Sequence, residues 1–426
     1  MSAPVTERVE QAKAAALDAL DEQRVLALEQ GCVRIPSDTY EEGPVADFFA
    51  SYMTSIGLDV EMIDVVDPFG SGQRSRQPVG VLRGTGGGSS LMLNGHMDHN
   101  PVVGEWERDP YSGDFDGTWI YGRGCQDDKG GIVSAISAAE TLLNAGIRLK
   151  GDLLVCPVVA HKSGAIGTQA LIERGFRADY AINTENSGNG LATVTVGALK
   201  GHLHAYATPT HAHSPAERVA RYVSRVEQIA AVIRALGPAE RRVAEGAWLT
   251  YEPCADLPDF PIVHFDRIVD AAFANRTTLE FHLRTVPGMS RESVMADLDR
   301  VIATIEEENP NVDLRYDIPP KEGKYGPGWD WPPVSVDVND PLPSAVIDAH
   351  NLVTGSAPAV GAEPRLGAVG DASFLQRAGI TSVLYGPGDI RTFKVWPTPD
   401  ERVSLAELVV AAKVYALTAI DICELA

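Results

Sequence analysis

SLMLNGHMDH, residues Ser90 to His99, followed by YGRGCQDDKGGIVSAISAAETLL, Tyr121 to Leu143, is the stretch around which the rest of the chain is arranged. Ser90 to Asp98 has the composition of a buried strand. Because side chains alternate along a strand, His96 and Asp98 emerge on one face at its end. An imidazole with a carboxylate two residues on suits a metal ligand whose other ring nitrogen is held by an acidic neighbour, which fixes its tautomer. Gly122, Gly124, Gly130 and Gly131 then punctuate a turn, and the apolar periodicity of Ile132, Ile136, Ala139 and Leu143 opens a helix. Asp127 stands at that strand-to-helix corner.

The 426 residues exceed the usual size of one domain, so two domains with sizeable cores are expected. With 36 Lys+Arg against 58 Asp+Glu, the net charge of -22 repels nucleic acid and anionic membrane, which leaves a small molecule as the partner. The five cysteines (Cys32, Cys125, Cys156, Cys254, Cys423) have no Cys-x-x-Cys spacing and read as reduced thiols. Cys125 fills a tight turn rather than serving as a nucleophile, since no paired base is apparent. The first residues lack a signal-type apolar core and no stretch has the length of a membrane span, so a soluble, cytoplasmic protein is expected.

In chain order, Thr6 to Gln30 reads as one helix stopped by Gly31, and Tyr40 to Ile56 as a second. Gly57 to Val66 and Val79 to Arg83 read as strands separated by the loop SGQRSRQP. Asp152 to Ala160 and Tyr180 to Thr184 are short apolar runs flanking a helical segment, the pattern of parallel strands in an α/β sheet. Motifs at their carboxyl ends are therefore site candidates. From Gly197 the order becomes strand (201–208), helix (216–236), strand (247–252), strand (277–284), helix (291–307) and strand (311–318), a ferredoxin-like βαββαβ module. Lys321 to Pro333, with Trp329 and Trp331, reads as a return linker, and Ser404 to Glu424 as a final helix.

His-x-Asp, followed about thirty residues later by Gly-Arg-Gly-x-x-Asp-x-Lys-Gly-Gly, resembles the metal-dependent aminoacylase and carboxypeptidase family, which includes acetylornithine deacetylase and succinyl-diaminopimelate desuccinylase. The resemblance implies an α/β fold: a mixed-sheet, metallopeptidase-like catalytic domain (1–196 and 321–426) carrying an inserted ferredoxin-like lid and dimerisation domain (197–320). It also implies a homodimer through the insert. In the family two metals share a bridging aspartate, matched by Asp127. One metal also takes the positions matched by His96 and by Glu185 in AINTEN. The lid histidine is matched by His211, or in another register by His213, and the lid asparagine by Asn275. Arg284 and Gly370-Asp371-Ala372 match positions weighted towards scaffold.

Two positions depart from the family pattern. Where it has Glu-Glu-x-Gly-x-x-Gly, this chain has HKSGAIG, with His161 at the position of the base and Lys162 at that of a second-metal ligand. Where it has His-x-x-x-Glu, WPTPDE places Pro397 in place of the histidine. Both losses fall on the same metal, so one divalent ion per chain, Mn2+ or Zn2+, is expected on His96, Asp127 and Glu185. Lys162 then substitutes a fixed positive charge, or, with its pKa lowered, acts as a neutral base or donor. His161 or Asp98 is the general base. The expected reaction is hydrolysis of a C–N bond by metal-activated water. The one-metal departure is similar to the aminohydrolases that displace an aromatic amine, such as that of 5-nitroanthranilate. Trp329, Trp331, Tyr325 and Phe393 are candidates to line such a pocket. An amidohydrolase for N-acyl amino acids or dipeptides, and a non-catalytic binding protein on a degenerate scaffold, are the alternatives.

Overall fold

The computed structural model describes residues 5–68, 71–207, 215–216, 223–238, 241–271, 275–318, 330–362, 369–393 and 397–426. The chain divides into two compact units, one formed by Met1–Val194 with Val334–Ala426 and the other by Thr195–Pro333.

The larger unit is built on a nine-stranded mixed sheet. Its centre is parallel: Leu91–His96 pairs with Leu153–Val158 on one side and Tyr180–Asn183 on the other, and Thr381–Leu384 continues the parallel run beyond Tyr180–Asn183. Leu91–His96 and Leu153–Val158 are buried at every residue, as strands covered on both faces must be. The hairpin Asp59–Val66 and Arg74–Leu82 extends one edge antiparallel. The helices Gly130–Asn144 and Leu405–Cys423 pack on each other and are apolar nearly all round, which is why both lie inside the unit.

Two expectations for this unit are corrected. The Thr6–Gln30 helix is two helices, Val5–Ala19 and Glu22–Val33, because Asp21 caps a new start by accepting the Gln23 and Arg24 amides. Gly31 is no stop; it lies inside the second helix under the Phe48 ring. The SGQRSRQP segment is largely strand. Gln77 within it is buried, donating to the Gly167 carbonyl at 2.9 Å and accepting the Val159 amide at 3.0 Å, bonds that a sequence pattern does not reveal.

The smaller unit is an antiparallel sheet in the order Ile262–Ala271, Arg276–Thr285, Gly197–Tyr206, Leu314–Asp317, with helices Arg225–Leu236 and Arg291–Glu308 started by Ser224 and Ser290 capping boxes. The expected strand over 247–252 is not one. Asp297 captures the Thr250 amide at 2.7 Å, and Trp248 donates to the Leu236 carbonyl at 3.0 Å, so the amide a ladder would use is taken by a helix side chain. The edge strand is Ile262–Ala271 instead. Trp331 is buried and pairs with Ala198 rather than belonging to a free linker. Tyr325, Trp329, His211 and His213 lie outside the described residues. Among the described residues no helix is long and apolar enough to cross a membrane.

A Cβ on Gly31 would sit 2.7 Å from the Phe48 ring tip. Gly31→Val therefore lowers stability by about 1–3 kcal/mol in urea unfolding, and adding Phe48→Leu recovers part of that loss. Glu42, at the start of helix Gly43–Ile56, ties two further segments by accepting the Ala160 amide at 2.9 Å and the Ser75 hydroxyl at 2.7 Å. Burial, and then the nearby Asp98 carboxylate, push its carboxyl up from 4.5 to about 7. The folded state therefore binds more protons than the unfolded chain across that window. Stability is greatest below pH 4.5 as far as this group is concerned, and it falls as pH rises towards 7. Glu42→Gln removes that dependence, which is worth on the order of 3 kcal/mol; thermal unfolding of both proteins between pH 4.5 and 7.5 checks it.

Candidate metal centre

The sequence-predicted residues of the larger unit converge just past the carboxyl ends of its parallel strands: His96 on Leu91–His96, His161 and Lys162 beyond Leu153–Val158, and Glu185 beyond Tyr180–Asn183. His96 donates from Nδ1 to the Asp98 backbone carbonyl at 2.8 Å, which leaves Nε2 facing Asp127 Oδ1 at 3.0 Å and Glu185 Oε1 at 3.6 Å. The tautomer is thus fixed as the motif implied, but by the main chain of Asp98; its carboxylate stands 3.6 Å away. His161 stacks on His96 with ring centroids 4.3 Å apart and planes within 10°, its Nε2 3.7 Å from the same Glu185 oxygen. One donor atom each of His96, His161 and Glu185 lies within 4.8 Å of the others.

His96 Nε2, with the Asp127 and Glu185 carboxylate oxygens facing it and His161 Nε2 beside Glu185, suits a divalent ion of the zinc or manganese type. The electrostatics agree. Burial and the Lys162 ammonium both oppose a charge on His96, yet Asp127 and Glu185 outweigh them and push its pKa up to about 10. A pocket that forces a proton onto a fully buried imidazole is one that a cation fits.

Asp98 has both oxygens engaged. Oδ1 accepts the His161 amide at 3.0 Å; Oδ2 accepts the Lys162 amide at 3.1 Å and the Thr39 hydroxyl at 3.0 Å. Burial opposes its ionisation, but His96, Lys162 and His161 hold it below the ordinary carboxylate range. Lys162 is no solvated surface residue, its side chain being 14 % exposed with Nζ 3.4 Å from Asp127 Oδ2. Burial alone would lower its pKa, but Asp127, Asp98 and Glu185 raise it, which favours the ammonium over a neutral base.

Several partners had escaped the sequence. Asp371, read as scaffold at a helix start, accepts from His161 Nδ1 at 2.6 Å and so fixes the ring with Nε2 turned towards Glu185. Asn100, at the end of the HMDHN run, donates to Asp127 Oδ2 at 3.0 Å. Asp128 accepts the Thr184 hydroxyl at 2.9 Å and the His96 amide at 3.3 Å, tying two strand ends together. A Cβ on Gly131 would lie 2.3 Å from Asp128 Oδ1, which is one reason for glycine there. The surviving glutamate of the C-terminal pattern, Glu401, is buried. It accepts Arg123 Nη1 at 2.7 Å and the amides of Gly124, Gln126 and Asp127 at 3.1, 3.1 and 3.2 Å, holding the whole Asp127 turn.

Other conspicuous residues have structural work. His99 accepts the Ser37 amide at 2.9 Å, and burial, helped by Lys129, pushes its pKa down to about 3. Lys129 donates to the carbonyls of Cys32 and Ile35 at 3.1 and 2.7 Å. Cys125 is buried with its thiol pushed up by desolvation, consistent with a turn filler. In the smaller unit, Asn275 is exposed and donates to the Ala207 carbonyl, while Arg284 is partly buried on the sheet.

Comparison with known proteins agrees with this geometry. The model of peptidase family M20/M25/M40 matches residues 92–421. The chain is 26% identical over 397 residues to N-formyl-4-amino-5-aminomethyl-2-methylpyrimidine deformylase of Bacillus subtilis, covering 87% of each chain. It is 30% identical over 203 residues to succinyl-diaminopimelate desuccinylase of Methylorubrum extorquens, covering 45% of this chain and 52% of that one. Among solved structures, aminopeptidase PepT of Bacillus cereus superposes with a TM-score of 0.70 at 17% identity, covering 95% of this chain and all of that one. The Bacillus subtilis YXEP protein, a dinuclear metal binding peptidase, superposes with a TM-score of 0.67 at 13% identity, covering 95% and 98%. The chain belongs to peptidase family M20/M25/M40 and is a metal-dependent hydrolase acting on C–N bonds.

Proposed function

We propose that this hydrolase works with one resident ion, held by His96, Asp127 and Glu185, and cleaves a C–N bond of an aromatic amine or of an N-acylated heteroaromatic amine. The observation that carries the reading is Lys162. Its ammonium stands 3.4 Å from the Asp127 oxygen that the family pattern directs to a second ion, in the same chain that has Pro397 where that ion's histidine belongs.

The ion, when bound, acts as a Lewis acid and lowers the pKa of water from about 15.7 towards about 7. The chain supplies the rest. His161 takes the proton at Nε2, and Asp371, on Nδ1, orients the imidazole and stabilises the imidazolium that forms. Lys162 neutralises the outer oxygen of Asp127 and keeps a fixed positive charge beside the reacting carbon, where negative charge develops. Asp98, with both oxygens bound by amides and a hydroxyl, positions His161 and Lys162 and leaves the base role to His161. The family resemblance implies a homodimer joined through the inserted unit.

For the bond cleaved, the leading assignment is hydrolytic deamination of an aromatic amine of the 5-nitroanthranilate type, supported by the loss of the second metal's ligands. A second assignment is amide hydrolysis on a heteroaromatic aminomethyl compound, which the similarity to the deformylase over 87% of the chain favours. Assays on 5-nitroanthranilate, on the N-formyl aminomethylpyrimidine and on N-acyl amino acids separate them by product: ammonia, formate or a free amino acid. Turnover of N-acyl amino acids alone overturns both.

By elemental analysis of the manganese- or zinc-loaded protein, Asp127→Ala loses one tightly held ion per chain relative to the wild type, and a loss of two ions refutes the one-metal reading. His161→Ala keeps that ion and loses about 10²–10⁴-fold in turnover; loss of the ion instead makes His161 a ligand. Lys162→Ala keeps the ion and lowers turnover, so metal content and activity separate in that variant.

A further inference from the structure

We propose a second divalent-metal site in the inserted unit, formed by His202, His204 and Asp317, with the ligand preference of zinc or a neighbouring late transition metal. It is independent of the proposed reaction and uses none of its residues.

The site follows from strand register. His202 and His204 stand two apart on Gly197–Tyr206, so both imidazoles project from the same face. That face is the polar one, since Leu199, Leu203 and Ala205, of opposite parity, are buried. The antiparallel neighbour Leu314–Asp317 sets Asp317 directly across from His202 and Arg315 across from His204, so the Asp317 carboxylate reaches between the two rings. One oxygen lies 2.7 Å from His204 Nε2 and the other 3.3 Å from His202 Nδ1. One donor atom of each residue falls within 4.8 Å of the others.

A further observation favours a metal over a bare ion pair. His204 is committed by its other nitrogen: Nδ1 is 2.9 Å from the Thr278 hydroxyl of the strand on the far side, so that hydroxyl can accept Nδ1–H and leave Nε2 with a lone pair aimed at the cluster. His202 turns Nδ1 towards the cluster, 3.3 Å from the Asp317 carboxylate, and its Nε2 is buried with no hydrogen-bond partner among the described residues. Two imidazoles and one carboxylate with an open fourth position are a donor set for Zn2+, Co2+ or Ni2+. Asp317 is half exposed and gives the ion an entry path. A bound ion would clamp the edge strand to the central one.

Equilibrium dialysis of the full chain against Zn2+, counted by elemental analysis, tests this. The wild type should bind one zinc per chain more than Asp317→Asn and more than the double variant His202→Gln/His204→Gln. His96→Ala should retain that additional ion. Equal zinc counts for the wild type and both cluster variants overturn the site. Should the double variant fail to fold, Asp317→Asn at the half-exposed position gives the same answer on its own. A zinc count in Asp317→Asn equal to that of the wild type overturns the proposal.

Discussion

The Asp98 carboxylate fastens the end of one central strand to the start of the segment that follows its neighbour. It takes the main-chain amides of His161 and Lys162 at once, while its own carbonyl holds His96 Nδ1. A single buried anion therefore fixes the backbone from which three of the site's side chains project. Because the groups it binds are amides, the geometry survives whatever side chains stand at 161 and 162. That independence is what allows histidine and lysine to occupy a place the family pattern gives to two glutamates without the main chain having to move.

A second buried anion does the same for the Asp127 turn. Glu401 accepts three consecutive-region amides and the Arg123 guanidinium, so the bend that presents Asp127 is held from a residue near the end of the chain. Neither anion faces the space between His96, His161 and Glu185 as a ligand would. The energetic logic is that of buried ions generally: each is tolerable only because its lone pairs are filled, and removing one partner leaves a charge with nowhere to go. The centre is therefore as rigid as its least replaceable hydrogen bond.

Much of this was legible in the sequence. The buried runs around His96 and Glu185 and the glycines around Asp127 mark strand ends and a tight turn by local composition, and those are what bring the donor atoms together. The resemblance supplied the positions of His161 and Lys162. What local pattern could not carry was partnership over long separations. Asp371 looked like an ordinary helix start because nothing near it in sequence announces an imidazole 210 positions away. The 247–252 run reads as a strand, yet a helix aspartate claims its amide. Gln77 sits in what reads as a polar loop, and only the fold shows that it is sealed between two backbone groups.

The order in which the sheet is threaded has a consequence for synthesis. Thr381–Leu384 lies between Tyr180–Asn183 and Leu191–Thr195, and the final helix Leu405–Cys423 covers the helix that follows Asp127. A nascent chain emerging from the ribosome can complete residues 195–333 as a unit of their own, but the sheet around the metal centre stays open until nearly the last residue is made. A chain truncated after residue 370 would still carry His96, Asp127, His161, Lys162 and Glu185, yet lack Asp371, Glu401 and a central strand. Every proposed ligand would have been translated, and there would be no place to put the ion.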